Sequence, residues 1–471
     1  MTYQHQHQHQ HQHQPHAYPP AGWPGPAGPP PAAPKRRGRL ALLLAGGLVA
    51  VLAVAAGTAY GVSRLVGGDD DGRELRTAWV LDFPERQRNG LKTFDGQDMF
   101  GAWLIGDAVA RAQPDGIIAY RLTDGGQAWG VPAPPGSSLC GAAQTLAEGR
   151  GVVALGSADS CDTLVGVDAA AGTRTWQVTF PAERLKGRGM LTAPDLSVAG
   201  GQVVVRSDQR VLGYSLADGK RLWQTDADRL LPGRDCRVTD AQAAGTQAVV
   251  TARCDGVRGA LLGLDPATGA VRWRQQLPDA QQSDGVLSVD PLVSLPGLEG
   301  RTFVARDAAG KARATFGNPV GGTRFSDLPV NRSNTVEGPA VRPYLADADT
   351  LYLPTEAANV PGKMRQANQV VAIDLATGER RWVSTGHTDS EVELIRLDEQ
   401  GVLAWEVGDH RDLAPRLVRI DPATGKAAVL AEGPRSAGTE GSDAKVLERD
   451  GTVVLVPWKH VSADAAITVL R

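Results

Sequence analysis

The sequence predicts an all-β chain: an eight-bladed β-propeller of four-stranded antiparallel blades, preceded by a disordered tail and one transmembrane helix. Three observations lead there. A Gly-x-x-x-Trp unit recurs at intervals of 47 to 50 residues. An uncharged apolar run of 23 residues stands ahead of all the copies. Gly (56) and Pro (31) make up about 18% of the 471 residues, against roughly 12% on average, so turns are frequent and strands short.

The first 39 residues form a region of their own. Tyr3 to His13 alternates Gln and His, and Pro15 to Pro34 is dominated by Pro, Gly and Ala. Such a stretch cannot bury enough apolar surface to offset chain entropy, so it reads as a disordered tail. Six of the nine histidines sit here; they lack a fixed ligand geometry and read as low complexity rather than as a metal site. Leu40 to Val62 follows, and as a helix it would span about 35 Å, enough for a bilayer core of about 30 Å. Lys35, Arg36, Arg37 and Arg39 precede it and Asp69, Asp70 and Asp71 come after. The positive-inside rule then sets the N-terminus in the cytoplasm and the rest outside. A signal peptide cleaved near Ala55-Ala56-Gly57 is the alternative. Residues 63–73 read as a linker and 74–471 as the propeller.

The repeat carries its own physics. Asp168-Ala-Ala-Ala-Gly172-Thr-Arg-Thr-Trp176 is echoed by Asp265 to Gly269 with Trp273, and by Asp374 to Gly378 with Trp382. Gly125 with Trp129 and Gly219 with Trp223 follow the same beat. Asp421 to Gly425 leads to Val429 where Trp is expected, and Asp307 to Gly310 is a decayed copy. A short apolar run precedes each Asp and reads as a buried strand. The Asp bonds the N–H groups ahead of it, and Gly takes the left-handed conformation that returns the chain into an antiparallel strand. Four residues on, an even spacing, the Trp is expected on the same face as the Gly, as a plate between sheets.

Closure comes from the ends. Thr452 to Val456 and Ala466 to Leu470 read as strands lacking a Trp-bearing outer strand, while Glu74 to Trp79 offers one with no blade before it. Joining them hides both sheet edges. Counting from Trp79 through Trp129, Trp176, Trp223, Trp273, the Asp307 unit, Trp382 and the Val429 unit gives eight blades, with seven as the alternative. Cys140 and Cys161 flank one buried run and Cys236 and Cys254 flank another in the matching place, so each pair is expected to staple one blade.

At these residues the chain resembles the PQQ-like β-propeller repeat family, with its Asp-x-x-Thr-Gly-x-x-x-Trp signature, from Glu74 to the end. The resemblance implies the propeller fold. Its members include quinoprotein dehydrogenases, which bind pyrroloquinoline quinone and Ca²⁺, and non-catalytic assembly scaffolds of the BamB type. Composition and the Pro/His-rich lead look like those of a membrane-anchored actinobacterial member.

The chemistry favours binding over catalysis. Quinoprotein alcohol dehydrogenases carry an adjacent Cys-Cys pair, and no two cysteines are adjacent here. Past the apolar run only His387, His410 and His460 occur, without a metal-binding spacing. No Gly-x-Ser-x-Gly elbow or P-loop appears. Lys and Arg (49) do not exceed Asp and Glu (52), which excludes a basic nucleic-acid footprint. No catalytic, cofactor or metal residue is therefore assigned. The expected role is a scaffold or sensing module for an unidentified protein at the cell envelope. A quinone- and Ca²⁺-dependent oxidoreductase and a cell-wall or polysaccharide binder are the alternatives. Thr315 to Pro343 departs longest from the repeat, and Arg324, Phe325, Asn331, Arg332 and Arg342 are its candidate partner contacts.

Overall fold

The computed structural model describes residues 73–471 apart from 84–98, 158–159, 182–193, 208, 233–235, 255–256, 278–284, 296–301, 325–343, 410, 438–443 and 460–464. The expected tail (1–39) and membrane span (40–62) lie outside the described residues. Among the described residues no helix is long and apolar enough to cross a membrane.

Eight four-stranded antiparallel sheets follow one another along the chain. Seven are sequence-continuous, at 101–132, 138–179, 195–226, 236–276, 285–317, 345–383 and 392–432, and are numbered blades one to seven. Their apolar strands, such as Val370–Asp374 and Gly401–Glu406, are buried almost throughout, because each is covered by a neighbouring blade on both faces. First strands of most adjacent blades touch one another and so form the inner wall of the ring.

Blade eight is shared between the chain ends. Thr77–Asp82 pairs antiparallel with Ala465–Leu470, with Thr77 opposite Leu470 and Trp79 opposite Val469. The ring therefore closes as the sequence predicts. One strand was not foreseen: Arg73–Glu74 pairs in parallel with Ala427–Glu432 and becomes a fifth strand on blade seven. Leu75, 1% exposed, is then driven into the core between blades seven and eight beside Trp405, Leu455 and Leu470.

The Gly–Trp beat links blades by a route that corrects the parity expectation. In blade three a bulge at Leu222 breaks the register between Trp223 and Arg221 on the outer strand. The extra residue shifts the face on which the Trp emerges, so Gly219 and Trp223 serve opposite neighbours. Gly219 lies under Trp176 of blade two, while Trp223 covers Gly269 of blade four. The same relay joins Trp79 to Gly125, Trp129 to Gly172, Trp273 to Gly310 and Trp382 to Gly425. Hydrogen bonds lock it: Trp79 Nε1 donates to Leu122 O at 2.9 Å, Trp176 to Leu216 O at 2.8 Å, and Trp223 to Pro266 O at 2.8 Å. Blade five has Ala314 in the Trp position, and there Thr315 and Phe316 cover Gly378 instead. Blade eight has no such turn to cover, and Val429 stays 39% exposed.

Both disulfides form as expected, Cys140–Cys161 and Cys236–Cys254. They do not staple matching places. Cys236 and Cys254 face each other on the first two strands of blade four. Cys140 is the bulged residue of the first strand of blade two, and its partner lies on the third.

Candidate partner-binding face

Antiparallel order within each blade sorts the connections onto two faces. One face carries the turns between first and second strands and between third and fourth. The other carries the loops between second and third strands and the links from blade to blade.

The first face is closed by short turns. Asp374 Oδ1 accepts the N–H groups of Ala376 and Thr377 at 2.8 and 2.9 Å, and Asp265 and Asp421 hold their turns in the same way. Gly269, Gly378 and Gly425 follow at φ of 70°, 75° and 74°, as an Asx-nucleated turn requires. The Arg381 guanidinium, 2.7 Å from Asp374, pulls that carboxyl down to about 2. Hydrogen bonding from Arg272 likewise lowers Asp265. These carboxylates are occupied by turn and arginine donors, which is why they recur.

The loop face is irregular, and its described centre is blade six. Between the second and third strands of that blade, Ala358–Asn359 and Gln366–Ala367 form an additional two-stranded hairpin. Its tip is pinned to blade seven. Lys363 meets Asp412 at 2.7 Å and Arg365 meets Asp409 at 2.8 Å, while Arg365 Nε donates to Asp389 O at 2.7 Å. Burial pushes the Asp409 carboxyl up, but three N–H donors (Leu413, Asp412 and Arg411) and Arg365 outweigh it and hold the group well below the usual range. Met364 stands at the tip, 93% exposed.

Beside the hairpin lies a groove of about 590 Å³, bordered by Thr323, Arg324, Glu356, Ala358, Gln369 and Val383. Arg324 is the one predicted partner residue among those described, and it is exposed on this rim. Phe325, Asn331, Arg332 and Arg342 lie outside the described residues. The departure from the repeat starts later than expected: Thr315 and Phe316 belong to the outer strand of blade five, and Phe316 is buried, stacked on Phe303 at 5.2 Å between centroids. The hairpin escaped prediction, although Pro361-Gly362 within a polar stretch is a turn signal that marks it.

Behind the groove wall runs a polar chain that sequence reading missed. Gln369 Nε2 donates to Ser384 O at 2.8 Å. Ser384 Oγ accepts Val370 N–H and contacts His387 Nε2, and His387 Nδ1 lies 2.9 Å from Glu406 Oε1. Thr388 Oγ1 donates to Glu406 Oε2 at 3.0 Å. The order Ser–His–Glu has the connectivity of a hydrolase relay. Ser384 has no exposed surface, however, so a substrate cannot reach its hydroxyl, and the chain instead ties blade six to blade seven.

On the inner wall, Lys445 reaches from blade eight across to Gln144 O of blade two at 3.4 Å, and desolvation lowers its ammonium to about 8. Asp240 Oδ2 accepts from Val286 N–H at 3.0 Å and from Gln242 at 2.7 Å. Among the described residues no three His, Cys, Asp or Glu side chains converge as metal ligands.

Among curated proteins no relative matches. Solved structures share the fold at low identity. A quinohemoprotein alcohol dehydrogenase from Comamonas testosteroni is 14% identical over 86% of this chain and 78% of that one, with a TM-score of 0.51. Quinohemoprotein alcohol dehydrogenase ADHIIG from Pseudomonas putida HK5 is 15% identical over 85% and 76%, with a TM-score of 0.50. BamB from Moraxella catarrhalis is 14% identical over 79% and 97%, with a TM-score of 0.46. The model of one family matches residues 113–384, more than half of the chain and six consecutive copies of the repeat described above, the decayed Asp307 copy included. The chain belongs to that family of PQQ-like repeat propellers, described as outer membrane protein assembly factor BamB.

Proposed function

We propose that the protein is a non-catalytic scaffold that binds a protein partner through its loop face, held at the cell envelope by a single membrane span at 40–62 with the propeller outside. The observation that carries the reading is the asymmetry of the ring. One face is sealed by hydrogen-bonded Asp turns, while the other presents a pinned hairpin with an exposed Met364 beside an open groove. A rigid ring with irregular loops on one face suits binding, because loops vary freely on a fixed support. The apolar span behind four basic residues supports the anchor and its orientation.

Proximity labelling from the propeller in intact cells tests this. A reproducible envelope protein, lost when the loop face is altered, is expected; labelling confined to cytoplasmic proteins would overturn it. For the oxidoreductase alternative, pyrroloquinoline quinone with Ca²⁺ is expected to leave the melting temperature unchanged. Stabilisation together with dye reduction would decide for the enzyme.

A further inference from the structure

The groove and the hairpin have a chemistry that specifies an occupant. Ala358–Asn359 is paired on its Gln366–Ala367 side, and its two residues are exposed. Among the described residues no other main-chain hydrogen bond reaches that strand. It is a short free edge, and the groove runs along it, with Ala357 and Ala358 in its wall. Because Lys363 and Arg365 are pinned to Asp412 and Asp409, the edge is held before anything binds. Pre-ordering of this kind lowers the entropic cost of adding a strand.

The charges point the same way. Arg121, Arg272, Arg365, Arg381 and Arg419 each face a carboxylate. Arg324 and Arg380 make no ion pair among the described residues; Arg380 spends one donor on Thr323 Oγ1 at 2.6 Å, which leaves the Arg324 guanidinium open on the rim. Arg324 and Glu356 are the two charged residues lining the groove, and the Arg380 guanidinium, held on the lining residue Thr323, adds a second positive charge beside it, in a chain that is net negative past the apolar run. The volume, about 590 Å³, falls within the range of about 300–1,000 Å³ typical of binding clefts.

We propose that this groove captures an extended acidic segment of a partner protein, which adds as a strand to Ala358–Asn359 and sets a carboxylate on Arg324. The proposal rests on the protein-binding reading above and gives it a site and a ligand chemistry. Met364 at the hairpin tip supplies an adaptable apolar contact for the same segment. A planar guanidinium suits carboxylate capture, since it offers two parallel donors.

The probe is a fluorescein-labelled ten-residue peptide alternating Val and Glu, with its Val–Lys counterpart, titrated into the full-length protein in detergent. Saturable binding of the Val–Glu peptide is expected, and none of the Val–Lys peptide. Arg324→Glu is expected to weaken Val–Glu binding by about tenfold and to admit the Val–Lys peptide. Arg324→Gln should weaken it less. Asn359→Pro removes the outward N–H, that of Ala358 being turned towards Ala367, and should weaken binding at an unchanged melting temperature. No saturation by about 1 mM, or equal affinity in Arg324→Glu, would overturn the proposal. A photo-crosslinker at Ala358, compared with one at Pro135 in the link after blade one, separates the two levels in intact cells. Crosslinks at 358 that the Val–Glu peptide suppresses support the groove. Crosslinks at 135 alone sink the groove and leave the scaffold standing, and none at either position sinks both.

Discussion

Trp382 of blade six lies on Gly425 of blade seven: a methyl group placed on Gly425 would come within 2.6 Å of the indole, and the indole N–H donates to Pro422 O at 2.9 Å. One residue thus fills the space that a glycine leaves and satisfies a carbonyl of the turn that the glycine builds. Repeated around the ring, this contact sets the spacing of the blades.

Breaking the relay is expected to be costly and non-additive. Trp223→Ala should destabilise by about 3 kcal/mol, as for other large-to-small aromatic changes. Gly269→Ala, at φ 70° and 2.6 Å from the Trp223 ring, should cost more than about 1 kcal/mol. In the double variant the clash is gone, so urea midpoints should show a cost below the sum; strict additivity would contradict the contact.

Removing residues 73–82 should open the ring. Ala465–Leu470 would lose its outer partner, and the core of blades seven and eight would lose Leu75. The truncated chain is expected to aggregate through the bared edge, and size-exclusion chromatography with light scattering would show it. A monodisperse monomer would mean that closure does not depend on this strand.

Acid should act first on the turn face. Asp265, Asp374 and Asp421 have folded values below the ordinary carboxylate value near 3.9. A depressed acid contributes stability that is present above its unfolded value and is lost as the pH falls through the folded one. The melting temperature should be level from pH 7 to 5 and fall between about 4 and 2, the lower limit set by Asp374 at about 2. Asp374→Asn should flatten part of that fall.

Lys445 gives the opposite dependence. Its folded value, about 8, lies below the ordinary 10.5, so the folded protein binds fewer protons than the unfolded chain between those values. Stability contributed by this group therefore rises with pH through that window. Lys445→Met should raise the melting temperature at pH 7 and do so progressively less towards pH 10. An equal gain at both pH values would indicate packing alone.

Reduction tests the staples. Each disulfide closes a loop of about 20 residues, worth roughly 3 kcal/mol in the chain-entropy model. Cys236→Ser with Cys254→Ser should lower the melting temperature by itself, and dithiothreitol should lower it further through Cys140–Cys161.

Much of the ring was legible in the linear chain, because its determinants are local and repeat. Asp before a turn, Gly at positive φ and Trp four residues later recur in a fixed short window, and each disulfide joins cysteines close in sequence, although the two occupy different places in their blades. Even so, the face on which Trp223 emerges was misread, since a bulge is a relation between two strands and leaves no mark in spacing along one of them.

What the amino-acid order determined alone is the unit, its length, its turns and the pairing of first strand with last. Only the tertiary structure decided that Arg73–Glu74 becomes a fifth strand, that Ser384, His387 and Glu406 line up, and that Arg324 stands beside a free edge at Ala358. The reason is physical: these contacts join residues from different blades, they occur once rather than eight times, and they exist only after the sheets have packed.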